Sequence, residues 1–451
     1  MSQDITIKKG LSINIKGVAE KELKKIPLTK FYAHNLEDFH LLIPKLQVKV
    51  GDYVKRGQPL FYSKINEDIK FVSNVSGYVK DIVRGERRKI LNIIVESDNK
   101  DFTQKNNIPP LSNLDSDTIT TYLLSSGCWP FIKQRPFDII ANPNKAPKSI
   151  FVSCFDSAPL SVDYNFILKD RMDYFKYGLN ILKKLVSGNL FLGLKSSQKN
   201  LATKLTDFNI NFFSGPHPSG NVGVQIHHID PINSGDIVWV LNPEDIAIIG
   251  EFFKTGEFNP SRTVAVSGPP VKNPKYFRLI IGAEIKSVLS SVDLEKGSEF
   301  RYINGDVLTG KTVKSDGFLG FYNNNLSILR EGNEYKLFGW IPFINNKVPS
   351  IYKTSFSWIT NGKPKDYDTN LNGEERAFVA TGEMESVFPM DVYPMQLIKE
   401  CLIGDIEKME KLGIYEVAPE DFGLIDYSSS SKIEAQTIIR EGLDYLYKET
   451  Q

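Results

Sequence analysis

The first 100 residues alternate short β-rich runs with glycine-bearing turns, which leaves little room for a helix. Val48-Lys49-Val50 meets Gly51-Asp52, and Tyr53 to Leu60 is broken by Gly57. A second unit, Phe71 to Val83, holds Val75-Ser76-Gly77-Tyr78-Val79, and an alternating run, Ile90 to Glu96, ends the segment. Turn glycines at this spacing argue for a small all-β module. With 451 residues the chain is too long for one typical core, so further domains must follow.

The composition narrows the classes of function. Lys+Arg 55 nearly cancels Asp+Glu 54, so the basic excess of a nucleic-acid binder is missing and no nucleic-acid partner is expected. Arg84-Gly85-Glu86-Arg87-Arg88-Lys89 reads as a solvated hairpin, with contact to a partner or lipid headgroups as the lesser reading. Met1 to Gly10 is charged and has no apolar h-region, so no secretory signal is expected. No stretch reaches the roughly 20 apolar residues that cross a bilayer. The expectation is a soluble chain whose membrane association is peripheral. Cys128, Cys154 and Cys401 lie far apart, so no metal or iron–sulfur site is expected within the chain, and a reducing compartment fits best.

The pattern V-x-V-G-D-x-V-x-x-G-Q-x-L followed by V-S-G-x-V resembles the barrel-sandwich fold of lipoyl and biotinyl carrier domains. Those domains present a modified lysine on the intervening hairpin. Here Lys64 and Lys70 lack the flanking methionine or acidic–Lys–Ala context, and both read as unmodified surface lysines. Residues 99–113 turn polar and contain Pro109-Pro110, as a linker does.

A predicted helix, Asp115 to Ser126, leads into Gly127-Cys128-Trp129-Pro130-Phe131-Ile132-Lys133-Gln134-Arg135-Pro136-Phe137. Pro130 and Pro136 fix the backbone at both ends and remove two amide donors. The segment is predicted to form a stiff loop that presents Lys133 and Arg135 near one another beside apolar surface. From Lys148 to Pro260, strands (Ile150 to Cys154, Leu190 to Leu194, Asn209 to Phe213, Ile237 to Leu241) alternate with helices (Met172 to Val186, Gln198 to Phe208, Pro243 to Lys254). This predicts a parallel, Rossmann-like α/β sheet. Its first strand ends in Phe155-Asp156-Ser157-Ala158-Pro159 rather than G-x-G-x-x-G, so no nucleotide is implied.

Three of the five histidines fall in Ser214-Gly215-Pro216-His217-Pro218-Ser219-Gly220 and Gly223-Val224-Gln225-Ile226-His227-His228. Adjacent histidines in a strand face opposite sides, which argues against a shared metal and for satisfied or partner-facing side chains. Arg262 to Gly268, Phe277 to Ala283 and Arg301 to Gly310 are β-rich and resemble the soluble-ligand-binding β-grasp module. Phe318 to Gly373 gives few clear signals. At the C-terminus, Ile438, Ile439, Gly442, Leu443, Leu446 and Tyr447 share one helix face, with Ser431 and Glu434 at capping-box spacing.

The serial order of these segments carries a family resemblance. Ile7-Lys8-Lys9-Gly10-Leu11-Ser12-Ile13-Asn14-Ile15-Lys16-Gly17 precedes the carrier-like module. Ser126-Gly127 to Arg135-Pro136-Phe137, Gly215-Pro216-His217-Pro218 and the β-grasp runs come next. Glu374-Glu375-Arg376-Ala377-Phe378, Gly382-Glu383 and Asp391-Val392-Tyr393-Pro394 complete the order. It resembles the A subunits of sodium-translocating NADH:quinone oxidoreductases over nearly the whole chain. The related C subunit of the Rnf complex needs clustered cysteines near its C-terminus, where this chain has Ser428-Ser429-Ser430-Ser431.

The resemblance implies a four-part chain of mixed α+β and α/β class. A barrel-sandwich module spans residues 1–100, a Rossmann-like domain 114–260, an SLBB-like β-grasp domain 261–330 and a helical domain 374–451. It implies a peripheral subunit on the cytoplasmic face of the inner membrane, in a complex that reduces quinone and exports Na⁺. The membrane-embedded B subunit of that complex is the expected partner. NADH, flavins and iron centres would be held by other subunits, with no cofactor in this chain. Trp129, Phe131, Lys133, Arg135, Phe137 and His217 offer the apolar lining and donors that a quinone headgroup needs. The alternative is a cofactor-free scaffold that stabilises membrane subunits without touching quinone.

Overall fold

The computed structural model describes residues 2–332, 337 and 363–450. Part of the stretch with few sequence signals lies outside those residues. Four sheets and a helical bundle make up the rest.

The turn glycines do shape a β module. Strands Phe31–Asn35, Ile90–Ser97, Gly77–Arg84 and Tyr53–Val54 form one sheet, and Pro44–Leu46, Pro59–Ser63 and Lys70–Val72 form a second. Between them Phe61 stacks on Phe71 with ring centroids 4.5 Å apart, and Phe39 meets Phe71 edge-on. Gly77 sits at φ 156° against the Glu96 carbonyl, where any side chain would collide, so the V-S-G-x-V turn depends on it. Lys64 lies exposed in the turn between Pro59–Ser63 and Lys70–Val72, and Lys70 is half-buried at the start of the latter strand.

The Rossmann-like sheet runs, by strand, Asp4–Thr6, Asn209–Ser214, Asn189–Lys195, Ser149–Ser153, Val238–Val240, Lys133–Arg135 and Ile139–Ile140. The first five are mutually parallel, and the last two add antiparallel pairing at one edge. Ser149–Ser153 is flanked by Asn189–Lys195 on one side and Val238–Val240 on the other. This is the point where strand order reverses, and doubly wound sheets place their crevice there. On one face, helices Met172–Lys183 and Pro243–Thr255 cross closely because Gly178 faces the Ile246 carbonyl and Gly250 faces that of Tyr174. Between Lys195 and Asn209, only Lys199–Ala202 is helical, shorter than the helix predicted over Gln198 to Phe208.

In the β-grasp sheet, Ser261–Ser267 pairs antiparallel with Lys275–Ile280 and parallel with Asn325–Arg330, and the Phe300–Asn304/Lys311–Val313 hairpin extends it. The N-terminal segment threads these bodies together. Asp4–Thr6 joins the Rossmann-like sheet, Glu20–Lys25 edges the β-grasp sheet, and only from Phe31 does the chain enter the β module.

Helices Glu383–Val387, Pro394–Ile403, Ile406–Lys411, Gly423–Ser428 and Ala435–Thr450 form the C-terminal bundle. Ile439, Gly442, Leu443 and Leu446 are buried along the last helix, as their spacing predicts, with Ile438 and Tyr447 packed at the margin. The predicted cap does not form. The Ser431 hydroxyl turns to the Ala377 carbonyl instead of the Glu434 N–H, and Asp426 accepts the Ala435 N–H at 2.6 Å. Neighbours brought by the bundle outcompete the local box.

Candidate functional site

The stiff loop predicted between Trp129 and Phe137 is instead a short 3-10 turn, Trp129–Phe131, followed by the strand Lys133–Arg135. Pro130 falls at the first positions of the turn, where a missing N–H costs nothing, and Pro136 follows the strand, so neither blocks pairing. Lys133 pairs with Val240 and Arg135 with Val238 on one side, and Lys133 with Ile140 on the other. Two residues apart on a strand, Lys133 and Arg135 share a face. Both approach Asp138, Lys133 at 3.4 Å and Arg135 Nε at 4.0 Å.

The aromatics are core residues. Trp129 is fully buried, donates from Nε1 to the Ala141 carbonyl at 2.8 Å, and meets Trp239 edge-on. Phe131 stacks on Phe321 of the β-grasp domain at 4.8 Å and lies 6.5 Å from Phe258. Phe137, at φ 79°, packs edge-on against Tyr447 of the last helix, and its carbonyl accepts from Arg440 at 2.6 Å. The Lys133 ammonium lies 4.7 Å above the Tyr322 ring, with its side chain 30% exposed.

Arg135 is the centre of the arrangement, with its side chain 2% exposed. Its guanidinium reaches Glu420 at 2.5 Å and Asp421 at 3.4 Å, both in the C-terminal bundle. Burial opposes its charge, yet Glu420, Asp138 and Asp421 together hold it firmly protonated. Burial in turn pushes the Asp421 carboxyl up, against the pull of Arg135.

Asp421 also reaches the Rossmann-like domain. Its carboxylate abuts Gly223, in the first turn of helix Val222–Ile229, and Asn221 donates to the Glu420 carbonyl at 3.2 Å.

His217 is separate from the Trp129–Phe137 strand. It is buried, its Nδ1 lies 3.0 Å from the Ser157 hydroxyl, and Ser157 also accepts the Gly220 N–H. Burial lowers the imidazole to about 4, so it is neutral at pH 7. Asp156 beside it is raised to about 7 by burial and by Asp306 of the β-grasp domain. His227 and His228 lie on a helix rather than a strand. His227 bonds Glu416 at 2.7 Å and accepts the Asp391 N–H, while His228 bonds the Val224 carbonyl. Among the described residues no group of three or more His, Cys, Asp or Glu could hold a metal.

Sequence reasoning missed the partners of the segment. Glu420 and Asp421 lie about 285 residues from Arg135, and no local pattern marks them. A second buried ion cluster was equally silent. Arg262 pairs with Asp245, and Glu244 accepts from Thr263 and Asn324, which fastens helix Pro243–Thr255 to the β-grasp sheet.

The architecture is that of a multidomain chain with a Rossmann-like α/β domain, a carrier-like β module and a β-grasp domain. Family models match it in the same order. The NqrA N-terminal barrel-sandwich hybrid domain covers residues 5–98, the NqrA second alpha/beta domain 114–258, and the NQRA C-terminal domain 263–315. The chain is 36% identical over 450 residues to the Na(+)-translocating NADH-quinone reductase A subunit of Histophilus somni, covering 99% of this chain and 100% of that one. To the A subunit of Vibrio campbellii it is 34% identical, with 99% and 100% covered, and to that of Marinomonas sp. 34%, with 98% and 99% covered. It therefore belongs to the family of Na(+)-translocating NADH-quinone reductase A subunits. A solved NAD⁺-reducing [NiFe]-hydrogenase chain overlaps 47% of it at 9% identity with a TM-score of 0.33, too low to carry an argument.

Proposed function

We propose that this chain serves quinone reduction, coupled to Na⁺ export, as a peripheral subunit on the cytoplasmic face of the inner membrane. It docks on the membrane subunits, the B subunit foremost, while NADH, flavins and iron centres belong to other subunits. The family match over essentially the full chain carries this reading. No helix among the described residues is long and apolar enough to cross a membrane, which supports a peripheral place.

Within that role, residues 129–137 act as a clamp between domains rather than as the lining of a quinone pocket. The observation that supports the clamp is the burial of Trp129, Phe131, Arg135 and Phe137 against three different parts of the chain. His217 is likewise enclosed, and Lys133 is the one candidate with substantial exposure. Quinone then binds where this body meets a membrane subunit. Membranes from cells lacking the chain should lose Na⁺-stimulated quinone reduction yet still oxidise NADH with an artificial acceptor. Undiminished quinone reduction in those membranes would overturn the reading.

A further inference from the structure

The tip of the hairpin formed by Gly77–Arg84 and Ile90–Ser97 has an unusual backbone. The Lys89 N–H donates to the Glu86 carbonyl at 3.0 Å, and the two residues between have φ 51° and 62°. Positive φ at both central residues is the type I′ geometry that suits the twist of a hairpin, and its usual occupants are Asn and Gly. This chain puts Arg87 and Arg88 there, side chains for which the left-handed region is strained. The turn presents two exposed guanidinium groups at the tip of the hairpin.

Their surroundings leave them available. Arg84, Arg87, Arg88 and Lys89 are all exposed, and neither Arg87 nor Arg88 has a carboxylate partner among the described residues. Arg84 donates to the Arg88 carbonyl, which stiffens the tip. The nearby acids are Glu86, exposed beside them, and Glu37, 3.9 Å from Lys89, whose backbone carbonyl accepts from Lys311. Cations therefore outnumber acids across the tip and the adjacent β-grasp edge. Residues 84–89 contain no apolar side chain.

We propose that this hairpin tip is a contact for anionic phospholipid headgroups that orients the chain on the membrane. The inference rests on the peripheral-subunit reading above and adds a lipid contact to it. Guanidinium groups pair with phosphate through two parallel hydrogen bonds, and a headgroup layer needs only such donors. A protein partner would want an apolar centre to the contact, which the tip does not have.

The test uses the full-length chain with vesicles of phosphatidylcholine alone or mixed with phosphatidylglycerol. The wild-type chain should float with the phosphatidylglycerol vesicles, less so as salt rises, and should ignore phosphatidylcholine. The double variant R87N/R88G places the preferred residues in the turn, so its melting temperature should rise. Its partitioning should nevertheless fall by about five-fold for each arginine lost. Equal binding to both vesicle types, or unchanged binding of the variant, overturns the proposal. So does a wild-type chain that ignores both vesicle types while the variant no longer co-purifies with the other subunits, because the tip would then be a protein contact. If the wild-type chain itself fails to co-purify with membrane subunits, the peripheral-subunit reading falls, whatever the vesicles show.

Discussion

Residues 84–89 and residues 129–137 are built from similar ingredients, arginine and lysine within a few positions of a β turn. The fold treats them in opposite ways. Arg135 is 2% exposed and sits among Asp138, Glu420 and Asp421, whereas Arg87 and Arg88 stand in solvent with no carboxylate partner among the described residues. Local charge therefore does not locate a binding surface. What decides is whether distant chain returns to cover the charge, and at Arg135 it returns from the C-terminal bundle.

The most damaging way to break this contrast is Arg135→Met. It leaves Asp421, fully enclosed, without its guanidinium, and removing one partner of a buried pair costs about 3–5 kcal/mol. Denaturant unfolding should show that loss. The deficit should widen as pH rises, because burial raises the Asp421 carboxyl above its unfolded value and protonation at lower pH removes the uncompensated charge. A deficit that is constant with pH would mean the stability is lost through packing alone.

Asp156→Asn probes an interior acid without a basic partner among the described residues. Its carboxyl is raised to about 7, so the stability it contributes is complete below its unfolded value near 4 and is lost as pH rises through 7. Asparagine can still accept the Ala158 N–H. The variant should be more stable than wild type at pH 8, by about 1 kcal/mol once its partial contact with water is allowed for, and equal to it below pH 4. Thermal melts at the two pH values measure this.

Lys133→Ala should do least, under about 1 kcal/mol in denaturant unfolding, because it removes a partly solvated cation–π contact and a 3.4 Å ion pair.

Much of the fold was legible because its signals are local. Turn glycines such as Gly77, the apolar face of Met172–Lys183 and the stripe along Ala435–Thr450 each specify their element within a few residues. The errors came where distant chain decided. Asp4–Thr6 pairs with Asn209–Ser214 some 208 positions away, with nothing in three residues to announce it. Pro130 and Pro136 bracket Lys133–Arg135, so the segment read as a loop, yet the edge of a large sheet was waiting for it. As strand neighbours His227 and His228 would face opposite sides, but Asn221 opens a helix there. The candidate site was legible as composition, an aromatic and basic stretch, and not as geometry. Glu420 and Asp421 turn it from a surface into an interior.

Whether residues 129–137 clamp the domains or line the quinone pocket is decided most directly by kinetics. The measurement is the dependence of quinone reduction on quinone concentration in the complex carrying Arg135→Met, alongside the yield of assembled complex. A clamp predicts a lower yield of complex and an unchanged KM for quinone in the fraction that assembles. A KM raised several-fold, with assembly and stability like those of the wild type, would contradict it.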